Sequence, residues 1–134
     1  MPSSADAAPG EEFEVMVYVQ LENRGISSGE IILTFNGGTM EVVNVEPGAL
    51  LGANPLAGLK KIDNQAGTAK YALAKTGSAS IPTPPGIFAI FKLKILESAK
   101  SGAYELKLSK VSLADENFKD ITGIKAQGTT VKVS

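Results

Sequence analysis

The chain contains no cysteine, no histidine and no tryptophan. The first two absences exclude disulfides, thiol nucleophiles, Cys/His zinc sites and the usual imidazole base, so most enzyme chemistries lack the side chains to run them. The third removes the ring best suited to stacking on sugars. An excess of charge is missing too: 13 Lys/Arg stand against 14 Asp/Glu, a formal net charge of -1. Such a chain has no long-range field to gather nucleic acid or anionic membrane, and its lysines occur singly or in pairs (Lys60, Lys61, Lys92, Lys94). Nucleic acid is not an expected partner. No apolar run approaches the ~20 residues of a membrane span. The opening MPSSADAAPGEE lacks the charged and apolar regions of a signal peptide. That leaves a cytosolic protein or a domain cut from a longer chain.

What remains is enough for one domain, residues 1–134. A chain of this size buries roughly two thirds of its unfolded surface, so it folds without disulfides, and the missing cysteines do not fix its compartment. Apolar residues recur mainly with period two, the mark of strands with one buried face. From Phe13 to Leu21, the residues Phe13, Val15, Val17, Val19 and Leu21 share one side, with Met16 and Tyr18 on the other. Strands are likewise expected at 30–35, 40–45, 59–63, 68–74, 87–96 and 129–133, with one or two across 104–113. The segment PGALLGANPLAGLKK has no clean period and reads as a loop. Asn64-Gln65-Ala66-Gly67 reads as a hairpin turn. TGSASIPTPPG, with its three prolines, reads as a surface loop. Seven to nine strands without a convincing helix predict an all-β antiparallel sandwich.

No catalytic motif survives inspection. Adjacent acids such as Glu11-Glu12 and Asp115-Glu116 point to opposite faces of a strand, and so do not present two carboxylates to one substrate. The run Asp115-Glu116-Asn117-Phe118-Lys119-Asp120 matches a calcium loop only in part, because its fifth position is Lys119 and its sixth Asp120. A polar turn is the plainer reading. No Walker-type or GxGxxG motif is present, and Ser27 and Ser28 have no histidine to activate them. Tyr71 and Tyr104 alternate with core residues. Tyr18 faces outward and is the one candidate sugar platform.

At PGEEFEVMVYV, GISSGEIILTFNGGTMEVVNVEPGALLG and TPPGIFAIFKLKI, the sequence resembles the cohesin domains of cellulosome scaffolds and related surface proteins. The resemblance runs over nearly the whole chain in the order of its elements. It implies a nine-stranded jelly-roll sandwich that binds a dockerin on one flat sheet face. Calcium is then expected on the dockerin and no cofactor on this domain, which would belong to a larger extracellular or cell-surface protein.

The family strand beginning Gly-Ile commonly places Asn and Asp on the recognition face; the matching positions are Ser28 and Glu30, with Ile32 and Thr34 continuing outward. The family's Phe-Ala-Glu resembles Leu73-Ala74-Lys75, which puts Ala72 and Ala74 on that face and turns the acid into Lys75. A reversal of this kind rejects partners chosen for the acidic form. Phe118 looks like the exposed hydrophobic of the family's late loop, or else tucks under that loop. Ile32, Ala72 and Ala74 are thus expected as an apolar floor, bordered by Glu30, Lys75 and, by alternation alone, Lys61 and Asp63.

Two departures stand out. Residues 1–8 contain no β-like run, so the first strand is expected to be short or missing. Asn36-Gly37-Gly38 reads locally as a hairpin turn, where the family has a connection crossing between sheets; the family topology is preferred. The leading expectation is a non-catalytic recognition domain. A carbohydrate-binding module or a structural spacer of a surface protein stands as the alternative, since fold alone does not decide function.

Overall fold

The computed structural model describes residues 4–19, 26–48, 50–51, 56–74, 86–115, 119, 121 and 129–133. Among them are nine strands: β1 Ser4–Ala7, β2 Glu12–Val19, β3 Ser28–Thr34, β4 Met40–Pro47, β5 Leu56–Asp63, β6 Thr68–Ala74, β7 Gly86–Ile95, β8 Gly102–Ala114 and β9 Thr129–Val133. The larger sheet has the order β1-β9-β8-β3-β6-β5 and the smaller the order β2-β7-β4. All neighbours are antiparallel except β1 and β9. This is the expected all-β sandwich of jelly-roll topology.

Alternation places one side of most strands in the core, whereas β5 has no buried residue. Val15 and Val17 from β2, Ile31 and Leu33 from β3, and Phe91 and Leu93 from β7 are buried in a single cluster. Gly29 sits against Phe88 of the other sheet and Leu113 of its own. A Cβ there would meet Leu113 Cδ2 at 2.6 Å and Phe88 Cζ at 2.9 Å, so any larger residue would push Phe88 off the back of β3.

Asn36-Gly37-Gly38 does form a local turn, in which the Gly38 N–H donates to Asn36 Oδ1 at 3.0 Å and the Met40 N–H to the Asn36 carbonyl at 3.0 Å. The strands on either side do not pair with each other. β3 pairs with β6 and β8 and β4 pairs with β7, so the turn carries the chain from one sheet to the other. The hairpin at residues 64–67 joins β5 to β6 in register Asp63↔Thr68. Gly67 has a φ of 74° there, and a side chain at that position would collide with the Phe35 carbonyl.

Three expectations about strands are settled, two within their stated alternatives and one, the end of the loop from Pro47, as a correction. The first strand is short but present: Ser4–Ala7 runs parallel to β9, with Ala7 buried. The free edge of β9 supplies a ladder that the local sequence does not signal. The loop expected from Pro47 ends earlier, because β5 starts at Leu56 rather than at residue 59. Residues 104–113 lie in one strand, β8, whose first half pairs with β9 and second half with β3. The proline-rich loop of residues 76–86 lies outside the described residues up to position 85.

Candidate functional site

The outer face of β5, β6, β3 and β8 is a grid, because antiparallel register sets outward residues of neighbouring strands opposite one another. From β5 to β8 its rows are Leu56–Ala74–Ser28–Ala114, Leu59–Ala72–Glu30–Ser112, Lys61–Lys70–Ile32–Lys110 and Asp63–Thr68–Thr34–Lys107. Of the positions nominated from sequence, Ser28, Glu30, Ile32, Thr34, Lys61, Asp63, Ala72 and Ala74 all fall in this grid. Lys75 and Phe118 lie outside the described residues.

The first two rows are low. Alanine and serine dominate them, leaving a shallow depression of about 290 Å³ lined by Ser28, Glu30, Leu56, Ala72, Ala74 and Ser112. Leu56 stands at its rim with 61% of its surface exposed, and Leu59 is 36% exposed. A floor of this kind can receive a convex apolar surface.

The last two rows are polar apart from Ile32, which stands between Lys70 and Lys110 rather than in the low floor, and their polar groups are unequally satisfied. Lys110 Nζ lies 3.5 Å from Glu30 Oε2, and Lys107 Nζ lies 3.1 Å from Glu105 Oε2. The Thr34 hydroxyl donates to Ser109 Oγ at 2.8 Å, where a bulge interrupts the register of β8. Asp63 Oδ1 accepts the Ala66 N–H at 3.0 Å, so its carboxylate closes the hairpin as well as bordering the face. Lys61 and Lys70 stand directly opposite each other. Among the described residues neither has a carboxylate within ion-pair distance.

The hairpin that carries two of these strands is tied to the smaller sheet. The Asn64 side-chain amide accepts the Val42 N–H at 2.8 Å and donates to the Val42 carbonyl at 3.3 Å, at the position where β4 bulges. Lys60 Nζ, on the other side of β5, donates to Asn44 Oδ1 at 2.6 Å.

Leu56, Leu59, Lys70, Lys110 and Ser112 were not nominated from sequence. Leu56 and Leu59 are three positions apart, and strict alternation puts such residues on opposite faces; a bulge between Ala57 and Leu59 brings them to the same one. Gly58, inside an apolar stretch, is the signal that marks such a bulge. Lys70 shares the parity of Ala72 and Ala74 and was legible from alternation.

The outer face of the smaller sheet differs. Lys94 is paired in register with Glu12 on one side and Glu41 on the other, and Lys92 with Glu14 and Asn44. Lys92 Nζ reaches Glu46 Oε1 at 3.1 Å. That hydrogen bond, and then the charges of Glu46, Glu14 and Glu12, hold the Lys92 ammonium above its usual pKa. Met16 and Tyr18 are exposed on this face. As for the partial calcium motif, Asp115 Oδ1 accepts the Lys119 N–H at 3.0 Å and so closes its own turn. Among the described residues no three acidic ligands gather at one point.

The chain is 28% identical over 126 residues to Cellulosomal-scaffolding protein A of Acetivibrio thermocellus, a match that covers 84% of this chain and 6% of that protein. The fold is also that of solved structures. The third cohesin of ScaC from Acetivibrio cellulolyticus, in complex with the ScaB dockerin, superposes with a TM-score of 0.82 at 17% identity, covering 98% of this chain and 95% of that one. A non-cellulosomal cohesin from the archaeon Archaeoglobus fulgidus gives 0.76 at 17% identity, covering 98% and 86%. The family model for the cohesin domain matches residues 2–133, and the chain therefore belongs to the cohesin domain family.

Proposed function

We propose that this cohesin domain is a non-catalytic recognition module that takes a dockerin-type helical module on the outer face of β5, β6, β3 and β8. The observation that carries the reading is the grid itself: a preformed, low-relief apolar floor of Ala72, Ala74, Leu56 and Leu59 beside polar rows. Several fold relatives were solved with dockerins bound, which supports the choice of partner. Small residues let a helix approach the sheet closely, and the polar border sets specificity more than affinity. Calcium belongs to the partner in this reading. A chain without His or Cys is consistent with binding and no catalysis.

The likeness to a scaffold protein of which it spans 6% supports a single domain within a longer extracellular or cell-surface chain. Calorimetric titration with dockerins encoded in the same genome, with and without calcium, tests the reading. Calcium-dependent, saturable binding to at least one supports it, and no binding to any removes it. The carbohydrate-binding alternative places its ligand on the opposite sheet, at Tyr18. Retention on glycan gels that is lost on Tyr18→Ala would favour it.

A further inference from the structure

The third row of the grid contains an arrangement that folding alone disfavours. Lys61 of β5 and Lys70 of β6 are direct cross-strand partners on one face, and like charges placed opposite each other destabilise a sheet. Among the described residues, the acids nearest them in the grid are engaged elsewhere: Glu30 lies beside Lys110, and Asp63 caps the 64–67 turn. Lys70 is half-buried, and a lysine in such a place buries its stem while its ammonium stays in water. We infer that Lys61 and Lys70 form a carboxylate-binding pair, and that the partner of this domain is a helix whose docking flank carries acidic residues over them.

The inference rests on the reading of this face as the docking face, and it names the chemistry of the occupant. Neighbouring strands lie about 4.8 Å apart and successive outward residues about 6.8 Å apart. A helix about 10 Å across, laid over the strands, therefore covers two rows at once. With its apolar side over Leu59 and Ala72, its flank lies over Lys61, Lys70 and Lys110. Residues four apart on that helix are about 6 Å apart, which matches the single strand spacing between Lys61 and Lys70. Two carboxylates at that interval meet the two ammonium groups, and a third about two turns further along meets Lys110 in exchange for Glu30. A flank of lysine or arginine would be repelled by the same row, so the pair selects as well as attracts.

The test uses calcium-loaded dockerin modules cloned from the host genome, each also prepared with its helix-flank carboxylates changed to lysine. The inference expects the unmodified acidic-flank modules to bind, with affinity falling as salt is raised from about 0.05 to about 0.5 M. Lys61→Glu/Lys70→Glu in this domain should weaken binding on the order of 100-fold. The lysine-flank version should recover much of that loss against the double variant and none against the parent.

Ala72→Arg, which obstructs the floor while leaving Lys61 and Lys70 in place, separates this inference from the reading beneath it. If Ala72→Arg abolishes binding while the double variant binds as the parent does, the floor is the docking site and the acidic-helix inference is overturned. If no module binds, or Ala72→Arg has no effect, the docking reading falls and the inference with it. Retention on heparin that is lost in the double variant, with no dockerin bound, would also overturn the helical occupant in favour of a polyanion.

Discussion

The two outer faces of the sandwich are built from the same strand alternation, yet they handle charge in opposite ways. On the smaller sheet each lysine is set among acids: Lys94 lies between Glu12 and Glu41, and Lys92 lies beside Glu14 and bonded to Glu46. The larger sheet sets Lys61 against Lys70 and leaves both without a carboxylate among the described residues. The large side chains differ as well. Met16 and Tyr18 stand exposed on the smaller sheet, whereas alanine and serine leave a depression on the larger. A face that compensates its own charges has little to gain from an outside charge, while one that does not is poised to accept it. The near-neutral net charge of the chain conceals this division.

The sharpest way to break the comparison is to fill the depression. Ala72→Arg should lower dockerin affinity by more than about 100-fold, about 2.7 kcal/mol, with an unchanged circular dichroism spectrum. Ile90→Arg, at the corresponding centre of the smaller sheet, should leave affinity within about twofold. Calorimetry on the two variants side by side reads the difference, and equal losses would show that the faces do not differ as argued.

Next in size is the tie between the sheets. Asn64→Ala removes the amide that satisfies both backbone groups of Val42 at the β4 bulge, and should cost about 1–3 kcal/mol of stability. Because the same hairpin carries Lys61 and Lys70, affinity should fall too. Urea unfolding gives the first number and titration the second; a stability loss under about 0.5 kcal/mol would mean that water replaces the amide.

How much of this was legible in the sequence depends on whether local pattern or distant pairing decides each element. β2, β3, β6 and β7 have one buried face and alternate plainly, so parity sets Ser28, Glu30, Ile32 and Thr34 on one side of β3 and Ala72 and Ala74 on one side of β6, while the family resemblance is what joined the two strands into one face. Lys70 has the same parity as Ala72 and Ala74 and is equally legible. β5 is an edge strand paired only with β6 and largely exposed, so burial imposes little period on it. The bulge at Gly58 then reverses the parity of Leu56, which alternation alone cannot foresee. β1 has no β-branched residue; the edge of β9 creates it through a pairing more than 120 residues distant. The crossing at Asn36 is invisible locally, since the turn closes with ordinary hairpin-like bonds while tertiary packing sends the next strand to the other sheet.

A smaller and opposite-signed effect is expected from Lys61→Glu. Replacing one of two facing lysines creates an oppositely charged cross-strand pair, which should stabilise the domain by about 0.2–1 kcal/mol. The same change should weaken binding of an acidic-flank dockerin by about tenfold. A variant that is more stable and binds less well would locate the frustration in the binding face; a variant no more stable than the parent would show that solvent already screens the two ammonium groups.

The smallest effects belong to the face that is already compensated and to the core, and they are confined to alkaline pH. The Lys92 ammonium is held above its usual value by Glu46, so its favourable contribution is complete below pH 10.5 and is lost as pH rises through the raised value. Tyr71 is buried, and desolvation, followed by the charge of Glu46, raises its phenol above pH 10. The folded state then keeps a proton that the unfolded chain releases, which also makes stability fall once pH exceeds 10. Both shifts therefore have the same sign, and unfolding free energy should decline above pH 10. Lys92→Gln and Tyr71→Phe should each make that decline shallower while leaving dockerin affinity at neutral pH unchanged. Urea titrations at a series of pH values, with tyrosinate absorbance followed in parallel, would measure it. An unaltered decline in Tyr71→Phe would assign the alkaline loss to Lys92 rather than to the phenol.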